Sequence, residues 1–160
     1  MKEAKILFLH GMEGTPEGTK PTFLREKGFR VIAPSLPKDD FALSVKRAEY
    51  TMHAFKPDVI IGSSRGGAVA CAMDAGYTPK ILIAPAYKKF IVKDPDVDIT
   101  TTILHCKKDD LVDFEDSVKL KEQFACDLIE CGTGHRMSDP AALQTLLNVL
   151  KEMGYEPAMG

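Results

Sequence analysis

The sequence predicts an α/β protein, a three-layer α/β/α sandwich around a parallel sheet of about six strands. Two observations carry this. Short apolar runs alternate with helical patterns along the chain, the rhythm of a parallel sheet with right-handed crossovers. Several runs are almost wholly apolar (Ile6-Leu7-Phe8-Leu9, Val59-Ile60-Ile61, Ile81-Leu82-Ile83), as expected of strands covered by helices on both faces. The length of 160 residues, 44% of them hydrophobic, suits one domain over residues 1–160 with a real core. No repeat, low-complexity tract or linker divides it.

The elements follow in order. Residues 5–10 form the first strand and 20–27 a helix. A strand at 29–33 leads to an amphipathic helix at 41–55, which carries His53 on its surface or boundary. The strand at 58–62 feeds the small-residue helix 65–75, and the next strand is 80–84. After the strand at 101–105, Asp113 is placed to cap the helix 114–124. The last strand is 127–130. The last helix, 140–153, has Asp139 or Ser138 as cap and Pro140 in its first turn, with Leu143, Leu146, Leu147 and Leu150 recurring at i, i+3, i+4, i+7. Residues 154–160 read as a frayed terminus.

Composition narrows the functional classes. Lys and Arg number 21 against 23 Asp and Glu, a net charge of -2, which gives no argument for nucleic acid or an acidic membrane surface as partner. The apolar runs fall far short of the ~20 residues that span a bilayer. Met1-Lys2-Glu3-Ala4-Lys5 leads directly into a strand pattern, with no signal-peptide core. Cys71, Cys106, Cys126 and Cys131 include no C-x-x-C and no zinc spacing with His, and they read as reduced thiols of a cytoplasmic protein. Cys126 and Cys131 are close enough in sequence to meet across a strand end.

The most informative stretch is Gly62-Ser63-Ser64-Arg65-Gly66. It lies between a strand and a helix pattern, and its G-x-S-x-G form is that of a nucleophile elbow with Ser64 at the apex. Gly62 and Gly66 stand where a side chain would collide in the tight strand–helix approach. The backbone N–H of Arg65 faces the place where an oxyanion would form. Ser63, before the apex, is the weaker nucleophile. The Arg65 side chain has two readings, a cation reaching the cleft toward an anionic substrate or a solvent-facing first-turn residue.

A serine nucleophile needs a base and an orienting acid. Asp109 follows the strand-ending His105 by four residues and is placed to accept from a histidine ring N–H, with Asp110 as the rival acid. His135 follows the last strand in a glycine-rich loop. A histidine's ordinary pKa near 6.5 suits a general base. The order Ser64, Asp109, His135 is that of the α/β-hydrolase triad. His10-Gly11-Met12 ends the first strand, and the Met12 backbone N–H is the candidate second oxyanion donor. His10 has a structural or supporting role.

Together, Leu9-His10-Gly11, Gly62-Ser63-Ser64-Arg65-Gly66-Gly67, His105 through Asp109 with Val112, and Gly134-His135 resemble the α/β-hydrolase family, and more narrowly its small lidless YqiA-like esterases. The resemblance implies the minimal hydrolase fold without a cap domain. It also implies esterase or thioesterase activity with no metal or cofactor, Ser64 as nucleophile, Asp109 as acid, His135 as base, and Met12 and Arg65 as oxyanion donors. Cys106 stands where the family usually has glycine, and Asp113 where it often has proline. Segment 85–99, where larger relatives insert a lid, is short, so an open site acting on small esters is expected. One alternative is a thioesterase meeting a phosphate-bearing acyl carrier through Arg65 and Lys88-Lys89. The other is a non-catalytic module binding a ligand or protein in the cleft. A Rossmann nucleotide site is disfavoured because Gly11-Met12-Glu13-Gly14 lacks G-x-G-x-x-G.

Overall fold

The computed structural model describes residues 2–12 and 14–157. The elements run β1 (Lys2–Glu3), β2 (Lys5–Leu9), α1 (Thr19–Glu26), β3 (Arg30–Ile32), α2 (Phe41–Phe55), β4 (Val59–Ser63), α3 (Arg65–Ala72) and β5 (Lys80–Ile83), then β6 (Thr102–His105), α4 (Phe114–Phe124), β7 (Asp127–Glu130), α5 (Pro140–Glu152) and β8 (Tyr155–Glu156). Six strands form one sheet in the order β3-β2-β4-β5-β6-β7. Every pairing in it is parallel. The expected α/β architecture is therefore the observed one.

Alternation along the strands divides the core into two layers. Leu7, Leu9, Ile60, Leu82 and Ile103 pack with Ala48 and Met52 of α2, Val69 and Ala70 of α3, and Leu120 of α4. Their neighbours Ile6, Phe8, Ile61, Ile81, Ile83 and Leu104 face the other way, against Leu24 of α1 and Ala142, Leu146, Val149 and Leu150 of α5. Each fully buried aliphatic side chain contributes about 1.5–3 kcal/mol by leaving water. Asp40, Asp113 and Asp139 cap α2, α4 and α5 with their carboxylates.

Two local expectations need correction. The tail is not frayed from residue 154. Instead β8 pairs in parallel with β1, and the Tyr155 hydroxyl donates to the Asp58 carbonyl at 3.1 Å. A two-residue pairing leaves no periodic signal in sequence; residues 158–160 lie outside the described residues. Helix α3 ends at Ala72 rather than 75, because Met73 turns extended and the Cys71 carbonyl accepts from Asp96 N–H at 2.7 Å. Cys126 and Cys131 are not joined, and all four thiols are free. No helix among the described residues is long and apolar enough to cross a membrane.

The junction of β4 and α3 admits no side chain at its glycines. A Cβ on Gly66 would stand 2.0 Å from the Leu9 carbonyl oxygen, and one on Gly62 2.4 Å from the Gly66 oxygen. Both obstacles are backbone atoms, which cannot swing aside. Gly66→Ala should therefore cost more than ~3 kcal/mol, read as a large fall in the urea midpoint or as failure to accumulate folded protein.

Candidate active site

Ser64 sits between the last residue of β4 and the first of α3 with φ 55° and ψ −113°. For a residue bearing a side chain this is a strained conformation. It is held by Ser64 N–H donating to the Ile83 carbonyl at 2.8 Å, and by the Ser64 carbonyl accepting from Ala68 and Ala86 N–H at 3.1 and 3.0 Å. The turn presents Oγ to His135, whose Nε2 lies 2.8 Å away.

His135 Nδ1 lies 2.7 Å from Asp109 Oδ2. A carboxylate accepts, so Nδ1 carries the proton and the Nε2 lone pair is free to accept from the Ser64 hydroxyl. The other carboxylate oxygen, Oδ1, accepts from the N–H groups of Leu111 and Val112, each at 2.8 Å. The Asp109 side chain is wholly buried and His135 is 16% exposed. Burial pushes the Asp109 carboxyl up, but the Val112 N–H, the His135 ring and the Leu111 N–H together hold it below its ordinary value. Asp110 is exposed. Asp113 accepts from Glu115 N–H as the α4 cap. Of the candidate acids, Asp109 is the one in contact with His135.

The loop carrying His135 is braced from three sides. Asp139 Oδ1 accepts from Thr133 N–H at 3.2 Å. Cys106 Sγ lies 3.4 Å from the Gly132 carbonyl, so this cysteine joins the acid-bearing loop to the histidine loop. Lys20 Nζ donates to the carbonyl of Arg136, next to the histidine. Burial, with Arg136 nearby, pulls the Lys20 ammonium down to about 8.

The two proposed oxyanion segments meet at Ser64. A Cβ on Gly11 would lie 3.2 Å from the Ser63 carbonyl and 3.3 Å from Ser64 Cβ. The loop after β2 therefore lies directly against the elbow. The N–H groups of Met12 and Arg65 bond no acceptor among the described residues. His10 steadies this loop: its Nε2 accepts from Leu36 N–H at 3.0 Å, which leaves Nδ1 to donate to the Gly11 carbonyl at 2.8 Å. Ser63 ends β4, buried, and His53 is exposed on α2.

The Arg65 side chain is not solvent-facing. It is 1% exposed, packs 5.6 and 5.5 Å from the Phe41 and Phe90 ring centres, and donates through Nη2 to the Pro37 carbonyl at 2.7 Å and Ser44 Oγ at 3.1 Å. Nε and Nη1 have no partner among the described residues. Burial pulls its pKa down, against the opposing pull of Asp39 and Asp40. A lone charged residue in a first turn reads as exposed; here the aromatic pair Phe41 and Phe90, stacked at 5.2 Å from distant segments, roofs it. Lys20 and His105 also touch this site, and sequence reasoning gave neither a role. Lys20 carried no signal, since its contact is made across 116 positions. The spacing of His105 to Asp109 was the available signal for the other.

Among the described residues, no cluster of three or more His, Cys, Asp or Glu is arranged to hold a metal ion. Neither a family model nor a curated protein sequence matches the chain. Solved structures do match it. One, from Xanthomonas campestris pv. campestris and assigned to the α/β hydrolase superfamily, superposes with a TM-score of 0.80 at 22% identity, covering 96% of this chain and 98% of its own. The fold is that of the α/β hydrolases. Mouse α/beta hydrolase domain-containing protein 10 gives 0.75 at 16% identity over 93% of this chain and 88% of its own. A thermophilic esterase from Thermogutta terrifontis, Est2 with propionate bound, gives 0.65 at 15% identity over 99% and 86%.

The lowered Lys20 value has a consequence for stability. Between about pH 8 and the unfolded lysine value near 10.5 the unfolded chain holds the extra proton, so stability rises with pH across that window. The contribution of this group is on the order of 3 kcal/mol. Urea unfolding at pH 7.5 and pH 10 should show this increment in the native chain and its loss in Lys20→Met.

Proposed function

We propose that the protein is a serine hydrolase cleaving small carboxylic esters through a covalent acyl-enzyme. The observation that carries this is the unbroken line Ser64 Oγ, His135, Asp109, with contacts of 2.8 and 2.7 Å, starting from a serine at positive φ. A binding role needs no base and acid in register with a strained serine.

In this reading His135 Nε2 takes the hydroxyl proton as Ser64 Oγ attacks the ester carbonyl. The buried Asp109 carboxylate stabilises the imidazolium that results. The backbone N–H groups of Met12 and Arg65 receive the oxyanion. His135 then gives its proton to the departing alkoxide, and a water, activated by the same imidazole, releases the acid and restores Ser64. Small esters are favoured because segment 85–99 contributes no helix or strand to roof the site. Propionate in a structure of the same fold, from a protein described as an esterase, agrees with a short acyl group. The acyl-carrier alternative gains less support, because Arg65 is buried and Lys88 pairs with Asp116 at 3.4 Å.

A fluorophosphonate probe should label Ser64, mapped by peptide mass spectrometry, and His135→Ala should abolish the rapid labelling. No adduct on any serine of the folded protein would make the binding module the better reading. With a small activated ester as substrate, Asp109→Asn should lower kcat by about 10³–10⁴-fold, whereas Asp110→Asn should leave it within about twofold.

A further inference from the structure

Asp109 is gripped by two histidines. His105, the last residue of β6, is fully buried. Its Nε2 lies 3.0 Å from Asp109 Oδ2 and 3.1 Å from the Val112 carbonyl. Both are acceptors, so Nε2 carries a proton shared between them. Its Nδ1 lies 2.7 Å from Ser117 Oγ on α4. The Ser117 hydroxyl is also fully buried, and it has no other acceptor among the described residues. It therefore donates to Nδ1, which must be bare. The network assigns the proton: neutral His105 in the Nε2–H form.

This makes a second arm on the carboxylate. Ser117 donates to His105 and His105 to Asp109 Oδ2, opposite the arm in which Asp109 Oδ2 receives His135 and His135 receives Ser64. The outer arm is sealed from solvent, and Phe114 packs edge-on to the His105 ring at 5.4 Å. Ser117 is no second nucleophile, because no substrate reaches it.

We propose that His105, oriented by Ser117, is a positioning residue of this site, and that its N–H on Oδ2 sets how strongly Asp109 draws on the proton of His135. The inference rests on the hydrolase reading for its kinetic consequence but not for its proton assignment. A carboxylate oxygen that already accepts one N–H attracts a second less strongly. With the His105 N–H in place, Asp109 fixes the His135 tautomer without over-stabilising the imidazolium. That imidazolium must later surrender its proton to the leaving group. Without it, Oδ2 would serve His135 alone, the imidazolium would be held more tightly, and His135 would protonate at higher pH.

The groups that bear on this balance come from several elements. His105 and His135 face the carboxylate directly. Cys106 lies beside His105 in the chain and reaches the Gly132 carbonyl. Asp113 caps α4, and Asp116, one residue before Ser117, pairs with Lys88. Lys107 pairs with Glu130 at 3.3 Å on the surface. None of these outer side chains is bonded to the Asp109 carboxylate, although the Cys106 carbonyl accepts from the Asp109 backbone N–H at 3.1 Å.

The test uses the full chain with ¹⁵N-labelled histidine. The nitrogen shifts of His105 should show Nε2 protonated and Nδ1 bare at neutral pH. A His105 with Nδ1 protonated would overturn the proposal, whether or not the protein hydrolyses any ester. His135 is then titrated by NMR in the native chain, in His105→Phe and in His105→Gln, whose amide restores an N–H near the position of Nε2. The midpoint of His135 should rise by roughly half a pH unit or more in the Phe variant and return toward the native value in the Gln variant. The acidic limb of kcat/KM for the activated ester should move with it. A folded Phe variant with an unmoved or lowered midpoint would mean that His105 only fills space. Should the Phe variant not fold, Ser117→Ala, which weakens the His105 N–H as a donor, must raise the midpoint in the same direction; no movement overturns the proposal. Failure of ester hydrolysis in the native chain with the histidine shifts as expected would count against the proposed function alone.

Discussion

The close approach of α3 to the carboxyl end of β2 is the constraint on which the site depends. Two glycines permit it. With Gly62 and Gly66 bare, the first turn of α3 comes within contact of the Leu9 and His10 carbonyls. The chain must then reverse within a single residue, and that residue, Ser64, takes a positive φ. The hydrogen bonds it forms with Ile83, Ala68 and Ala86 offset the local strain. One packing demand thus both raises the serine above the sheet and sets the loop after β2 beside it.

The electrostatics around the serine are arranged by burial. Asp109 is sealed from water yet accepts four hydrogen bonds, two from backbone and two from histidines, so its charge survives the low-polarity setting. Buried cations serve the neighbouring loops differently. Lys20 donates to the Arg136 carbonyl, Arg65 to that of Pro37, and Lys80 to that of Asp96 at 2.6 Å. Each ties a segment beyond the strand ends to the sandwich. These tethers hold loops that have little secondary structure of their own.

Much of this was legible because it is local. Apolar runs mark strands, and a capping aspartate marks a helix start. G-x-S-x-G between a strand and a helix has a mechanical meaning, and that segment carries the serine at positive φ. The departures share one cause. The β1–β8 pair joins residues from opposite ends of the chain. Arg65 is covered by Phe41 and Phe90, which lie in separate segments. His105 meets Ser117 across the turn into α4. None of these partners shares a periodic pattern with the residue it touches.

From sequence alone came the alternation of strands and helices, the residue at the elbow and the order of serine, acid and histidine, since each follows from neighbours along the chain. Tertiary structure alone decided which aspartate meets His135, where the Arg65 charge is hidden and that a second histidine shares the carboxylate. Those outcomes depend on which groups lose their water together, and solvent exclusion is a property of the packed chain rather than of any stretch of it.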